Sequence, residues 1–110
     1  MIDATALHRL VDLTGDRVFV ESLLADFPGE VAALLRHIRD AAPDDPVVRR
    51  HAHSLTSSAA DVGATALATA AAGPEASAAT DDVAALAADI DALDVAATAT
   101  VAVLEDLGGW

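Results

Sequence analysis

The sequence predicts an all-α protein, an antiparallel four-helix bundle with a short additional N-terminal helix, on three observations. Apolar residues recur at spacings of three and four along most of the chain, the period of a helix that buries one face. Nearly half of those apolar residues are alanine, with only two Phe, one Trp and no Tyr, so the core has to be built from helices that pack closely through small side chains. Gly, Pro and Asp clusters divide the pattern into pieces of helical length. A chain of 110 residues suits one domain, residues 1–110, around one core.

Each element has its own signal. Residues 4 to 13 carry Leu7, Leu10, Val11 and Leu13 at helical spacing, with Asp3 as N-cap. Thr14-Gly15-Asp16 supplies a stop and a new cap. Phe19, Leu23, Leu24, Phe27, Val31, Leu34, Leu35 and Ile38 then form the strongest apolar stripe in the chain. Pro28 lies inside it, and an interior proline predicts a kink or break. Ala41-Ala42-Pro43-Asp44-Asp45-Pro46 is the clearest turn, with Asp45 as cap and Pro46 at the first position of the next helix, which should end near Val62-Gly63. Gly73-Pro74 predicts that residues 64 to 80 are divided or sharply bent. Thr80-Asp81-Asp82 caps a last, long helix whose stripe runs Val83, Leu86, Ile90, Leu93, Ala97, Val101, Leu104 and Leu107, closed by Gly108-Gly109. Trp110 is expected to be a mobile end.

The helix from Pro46 to Val62 organises the functional reading. At about 100° per residue, Val48, Leu55, Ala59 and Val62 share a narrow arc, and His53 lies opposite it. His53 is therefore expected to face solvent from mid-helix. Arg49 and Arg50 fall on its face one turn before, and Thr56 and Ser57 one turn after. His51 lies near the apolar arc and is expected to pack between helices. His8 and His37 lie off their stripes and are read as solvated.

Ala52-His53-Ser54-Leu55, then Ser58-Ala59-Ala60, then Val62-Gly63-Ala64 and Leu67 resemble the signature of the histidine phosphotransfer (HPt) domain family. Upstream, Leu10-Val11-Asp12-Leu13-Thr14-Gly15-Asp16, Phe19, Leu23-Leu24, Phe27-Pro28 and Leu34-Leu35 are similar to that family's lead-in helices. The resemblance covers residues 8 to 68 and implies that His53 carries a phosphoryl group. The family usually has a lysine three residues and a glycine four residues after the histidine, where this chain has Thr56 and Ser57. Arg49 and Arg50, the only cations near His53 in sequence, are expected to stand in for the missing lysine by attracting phosphoryl oxygens, so the phosphate- and partner-contacting set is Arg49, Arg50, Thr56 and Ser57.

Composition removes other classes. The net charge is −12, all six basic residues are Arg at or before position 50, and nine acidic residues follow it; such a field repels nucleic-acid phosphates and anionic lipid surfaces. Without Cys there is no disulfide or thiolate metal site, and His51 and His53, two apart on a helix, diverge by about 200° and do not chelate together. The N-terminus has no basic segment followed by an apolar run, and no stretch approaches the ~18 apolar residues of a spanning helix, so a cytoplasmic location is expected. Ser54, Ser57 and Ser58 lack the elbow, oxyanion loop and orienting carboxylate of a hydrolase, and the Asp-Ser-Leu of an acyl carrier is absent.

The resulting expectation is a phosphoryl carrier, not a turnover enzyme, moving a phosphoryl group on His53 between receiver-domain aspartates of a multistep phosphorelay. It is either a free-standing shuttle or a module of a larger kinase. Its implied partners are receiver domains of response regulators, a hybrid histidine kinase, or both, and a monomer is expected. No cofactor of its own is implied, since the receiver brings the Mg²⁺. The alternative is an HPt-like bundle that is not phosphorylated and acts only as a docking module.

Overall fold

The computed structural model describes residues 2–43, 45–80 and 82–107. Among the described residues five helices follow one another: α1 (Ala4–Thr14), α2 (Arg17–Ala41), α3 (Asp45–Asp61), α4 (Thr65–Ser77) and α5 (Val83–Glu105). The described residues form no strand. The last four helices run antiparallel to their neighbours in sequence, because each connection is short and turns the chain back on itself. One apolar cluster runs through them, from Leu7 in α1 through Phe27 and Ile38 of α2, Leu55 of α3 and Leu67 of α4 to Leu93 of α5.

The helix boundaries follow the capping chemistry of the sequence. Asp3 accepts a hydrogen bond from Thr5 N at 2.9 Å, Asp16 from Phe19 N at 3.0 Å and Asp82 from Ala85 N at 2.9 Å. Each carboxylate satisfies an amide that the first helical turn leaves without a partner. Gly15 ends α1 at φ 66°, a left-handed conformation open to glycine at no steric cost. The expectations for the Asp45 side chain, Asp44, Asp81, Gly108, Gly109 and Trp110 lie outside the described residues.

Four expectations are corrected. Helix α4 runs unbroken through Gly73 and Pro74, so residues 64 to 80 are not divided there. Packing overrides propensity: Pro74 is fully buried, and a Cβ on Gly73 would lie 3.3 Å from the Asp89 carboxyl carbon of α5. The glycine thus admits α5 at close range. Ser77 secures the same contact by donating to Asp89. Of the kink or break expected at Pro28, the break does not occur, because α2 runs continuously through it; Pro28 lines a surface cleft together with Ala97 and Val101 of α5.

The third correction concerns Phe19 and Leu23, which are 47% and 37% exposed. They lie on the side of α2 that faces α3, but α3 is too short to cover them. Ser58 of α3 is level with Glu30, to which it donates at 2.7 Å, so α3 ends at Asp61 about one turn further on, near Phe27. Fourth, α5 stops at Glu105, before the predicted glycines. The Asp106 and Leu107 amides close the final turn onto Ala102 O and Leu104 O.

Helix α1 is tied across the α3–α4 turn. Asp3 N donates to Gly63 O at 2.8 Å, and Ile2 pairs with Ala64 in an isolated antiparallel bridge. Gly63 adopts φ 75°, and a Cβ there would fall 2.6 Å from Asp3 O. Both the left-handed backbone and the collision penalise any side chain. Gly63→Ala is expected to destabilise the protein by about 3 kcal/mol, read as a lower midpoint in urea denaturation, whereas Gly29→Ala, where a Cβ meets nothing within 4 Å, should not.

Candidate functional site

Helix α3 is held in one rotational setting by its apolar arc. Val48, Ala52, Leu55 and Ala59 are completely buried and Val62 is 4% exposed. With that arc inward, His53 points out, its side chain 68% exposed. Position and spacing place the other predicted residues around it. Arg49 and Arg50 are exposed one turn before, and Ser57 is exposed one turn after. Thr56 is half-buried, and its hydroxyl donates to Ala52 O at 3.0 Å. That hydroxyl is therefore committed to its own helix.

The sequence reading missed the closest partner of His53. Nδ1 lies 2.8 Å from Oε1 of Glu75 on α4, and the Glu75 side chain is 30% exposed. Glu75 is the only charged residue in α4. Gly73 and Ser77 mark the α5 side of that helix; Glu75 lies across the buried arc from them, on the α3 side. A signal for this pairing did exist. Counting from the ends of the two helices, His53 is eight residues before Asp61 and Glu75 ten after Thr65, nearly level in an antiparallel hairpin. The count requires the helix through Gly73-Pro74 to be continuous, which the sequence argued against.

An ionised carboxylate only accepts hydrogen bonds, so Nδ1 is the donor in this pair. Nε2 then has no partner among the described residues. A neutral imidazole with its proton on Nδ1 keeps its lone pair on Nε2, at the exposed edge of the ring. Chemically, the site offers an outward nitrogen nucleophile on a rigid helix.

His51 faces the other flank of α3. Its ring stacks on His37 of α2 with centroids 4.9 Å apart and planes 18° from parallel. Packing between helices was expected for His51, but His37 was read as merely solvated; it is exposed and yet covers its partner. The stack was not legible because it depends on the register between α2 and α3. Desolvation lowers the His51 pKa below the ordinary 6.5, and the positive charges of His37 and Arg50 lower it further. His51 and His53 thus point to different helices. No cluster of three His, Cys, Asp or Glu side chains able to hold a metal occurs among the described residues.

The arrangement defines a class: a helical bundle presenting one histidine from the middle of a helix, with its neighbours polar and its ring accessible. The family model for the Hpt domain matches residues 18–106, which spans α2 to α5 and leaves α1 outside. The chain belongs to the Hpt domain family. Comparison with curated proteins and with solved structures returns no match. Hpt domains are phosphocarrier modules that act with receiver domains and kinases in phosphorelays. Among the described residues, no helix is long and apolar enough to cross a membrane.

The histidine stack generates a pH prediction. With its folded-state pKa depressed, His51 binds its proton more weakly folded than unfolded, so stability is full above about pH 6.5 and is lost as the pH falls through the lowered value. Urea midpoints of the wild type and of His51→Gln, compared from about pH 7 to about pH 5, should show a smaller acid loss in the variant.

Proposed function

We propose that this protein is a histidine phosphotransfer carrier in which His53 takes a phosphoryl group from the aspartyl phosphate of one receiver domain and passes it to the aspartate of another. The observation that carries this reading is the exposure of His53 in the middle of α3, within a family whose members transfer phosphoryl groups on histidine. Nε2 attacks phosphorus, the N–P bond forms as the P–O bond to the aspartyl carboxylate breaks, and that carboxylate leaves with the electron pair. Transfer onward is the reverse step on a second receiver. Mg²⁺ on the receiver neutralises the phosphoryl oxygens during the transfer, and the carrier needs no metal of its own. A hybrid histidine kinase is the fitting upstream source.

Arg49 and Arg50 have a supporting role in this reading. A guanidinium beside the acceptor attracts phosphoryl oxygens with paired hydrogen bonds, and exposed arginines steer an acidic receiver site toward the helix. Exposed Ser57 leaves room for the partner loop. Thr56, with its hydroxyl bonded to Ala52 O, contributes at most the shape of that surface.

Incubation with a phosphorylated receiver domain is expected to give an acid-labile, base-stable label on the wild type. His53→Gln should abolish it with little loss of stability, because an exposed side chain makes few core contacts. His51→Gln should keep the label. A labelled His53→Gln protein would sink the assignment, and an unlabelled wild type that still binds receivers would mark the chain as a docking module. In a separate test, Arg49→Ala with Arg50→Ala should slow transfer about tenfold at low salt, equivalent to about 1.4 kcal/mol, and less at high salt. Thr56→Lys is expected to restore part of the rate, and equal rates at low salt would remove the arginines from the site.

A further inference from the structure

We infer that the outer face of α5 is a docking surface for an apolar helix of a different protein, one that carries basic side chains at both ends of its contact stretch. The surface lies away from His53, and it stands whether or not that histidine is phosphorylated.

The starting point is a conflict between composition and position. A helix on the outside of a bundle keeps charged side chains outward, and one that is apolar all round is normally covered on every side. Among the described residues α5 packs against α4 and α2, and α3 does not touch it, so one flank of α5 meets solvent. Yet from Val95 to Leu104 the helix carries no charged residue. At about 100° per residue, that flank reads Val95, Thr98, Ala99, Ala102 and Val103, with Val95 71% and Val103 39% exposed. Even the Thr98 hydroxyl is committed to its own helix, donating to Asp94 O at 3.0 Å. The outer surfaces of α2 and α3, by contrast, expose Arg36, Asp40, Arg49 and Arg50.

An anchor site adjoins the flank. Where α5 meets α2, a cleft of about 260 Å³ opens between Pro28, Ala32 and Leu35 on one side and Ala97, Thr98 and Val101 on the other. Thr98 borders both this cleft and the shallow depression along Val95, Ala99 and Ala102, so the two form one surface. The flank lets another helix approach closely, and the cleft takes a large apolar side chain from it.

Charge selects the occupant. Asp91 and Asp94 precede the uncharged stretch, and Glu105 and Asp106 follow it; Asp91 and Asp106 share one line of the helix, about 22 Å apart. Arg39 pairs with Asp91 and Asp94, a single cation between two carboxylates, and the chain has no basic residue after Arg50. A second copy would set Asp91 against Asp106 in an antiparallel pair and against its own counterpart in a parallel one, between chains of net charge −12 each. Such a pair repels, as does an anionic lipid surface. A helix with Lys or Arg about four turns apart, and apolar residues between them, meets both acidic ends and covers the face. Because α3 and α5 are diagonal in the bundle, this partner leaves His53 open to a receiver domain.

The test titrates two synthetic helices into the isotope-labelled full chain. Both carry leucine along one face; one is flanked by lysines and the other by glutamates. The lysine-flanked helix should shift the amides from Val95 to Val103 and those of Ala32 and Leu35, and bind about tenfold more tightly than the other. Val95→Glu should weaken it about tenfold with the circular dichroism unchanged, although the added negative charge would strengthen a purely Coulombic attachment. Glu105→Gln with Asp106→Asn should weaken it as well. Equal affinities for the two helices, shifts centred on α3, or undiminished binding to Val95→Glu would overturn the inference. So would a dimer that Val95→Glu dissolves, which gives the face to a second copy, or attachment to phosphatidylglycerol vesicles that Val95→Glu abolishes, which gives it to a membrane.

Discussion

The rotational setting of α3 is the constraint on which the rest of the site depends. Val48, Ala52, Leu55, Ala59 and Val62 recur at spacings of three and four and are all buried. Removing Val48, Leu55 and Val62 from water contributes about 1.5–3 kcal/mol for each side chain, far more than any single polar contact on the outer face. A rotation of α3 by one residue, about 100°, would expose that arc. It follows that His53 faces out, that His51 faces α2, and that Ser58 meets Glu30, without any polar interaction having to specify these directions.

Small side chains make the second contribution. Ala52 and Ala59 of α3, Ala64, Ala71 and Ala78 around α4, and Ala97 of α5 are all buried, and an alanine interface lets helix axes approach more closely than one built from Leu or Phe. Close axes shorten the distance that a side chain has to span. Glu75 can therefore reach the His53 ring across the α3–α4 seam, and Ser77 can reach Asp89 across the α4–α5 seam. The same closeness explains why Gly73 lies where α5 crosses, and why Pro74, which removes a helix hydrogen bond, is tolerated where its ring fills the core.

Charge is distributed unevenly around this frame. Arg39 is occupied by Asp94 at 2.5 Å and Asp91 at 3.5 Å, and hydrogen bonding to Asp94 is the main cause that raises its guanidinium pKa above the ordinary arginine value. Being exposed, such a clamp adds only about 0–1 kcal/mol and serves mainly to fix the level of α2 against α5. Arg49 and Arg50 are exposed on α3 one turn before His53, and Glu75 meets Nδ1 of the His53 ring from α4. His53 thus has two arginines one turn before it on its own helix and a carboxylate on the neighbouring helix, in a chain whose net charge is −12.

Periodicity and capping residues by themselves determined the helical class, the four main helices with their short leader, most of their ends, and the outward direction of His53. These are local properties: a 3.6-residue repeat of apolar positions and an Asp beside unpaired amides act within one helix. Only the tertiary structure decided what depends on the relation between helices. It showed that Pro74 is buried rather than a break, that Phe19 and Leu23 outrun the end of α3, that His37 stacks on His51, and that Glu75 meets Nδ1 of His53. Each of these follows from inter-helix register, which is set by the summed packing of the whole core and which no single segment encodes. Gly73-Pro74 is the sharpest instance, because the local cost of a glycine and a proline in a helix is outweighed by close contact with α5, a surface supplied by residues that come later in the chain.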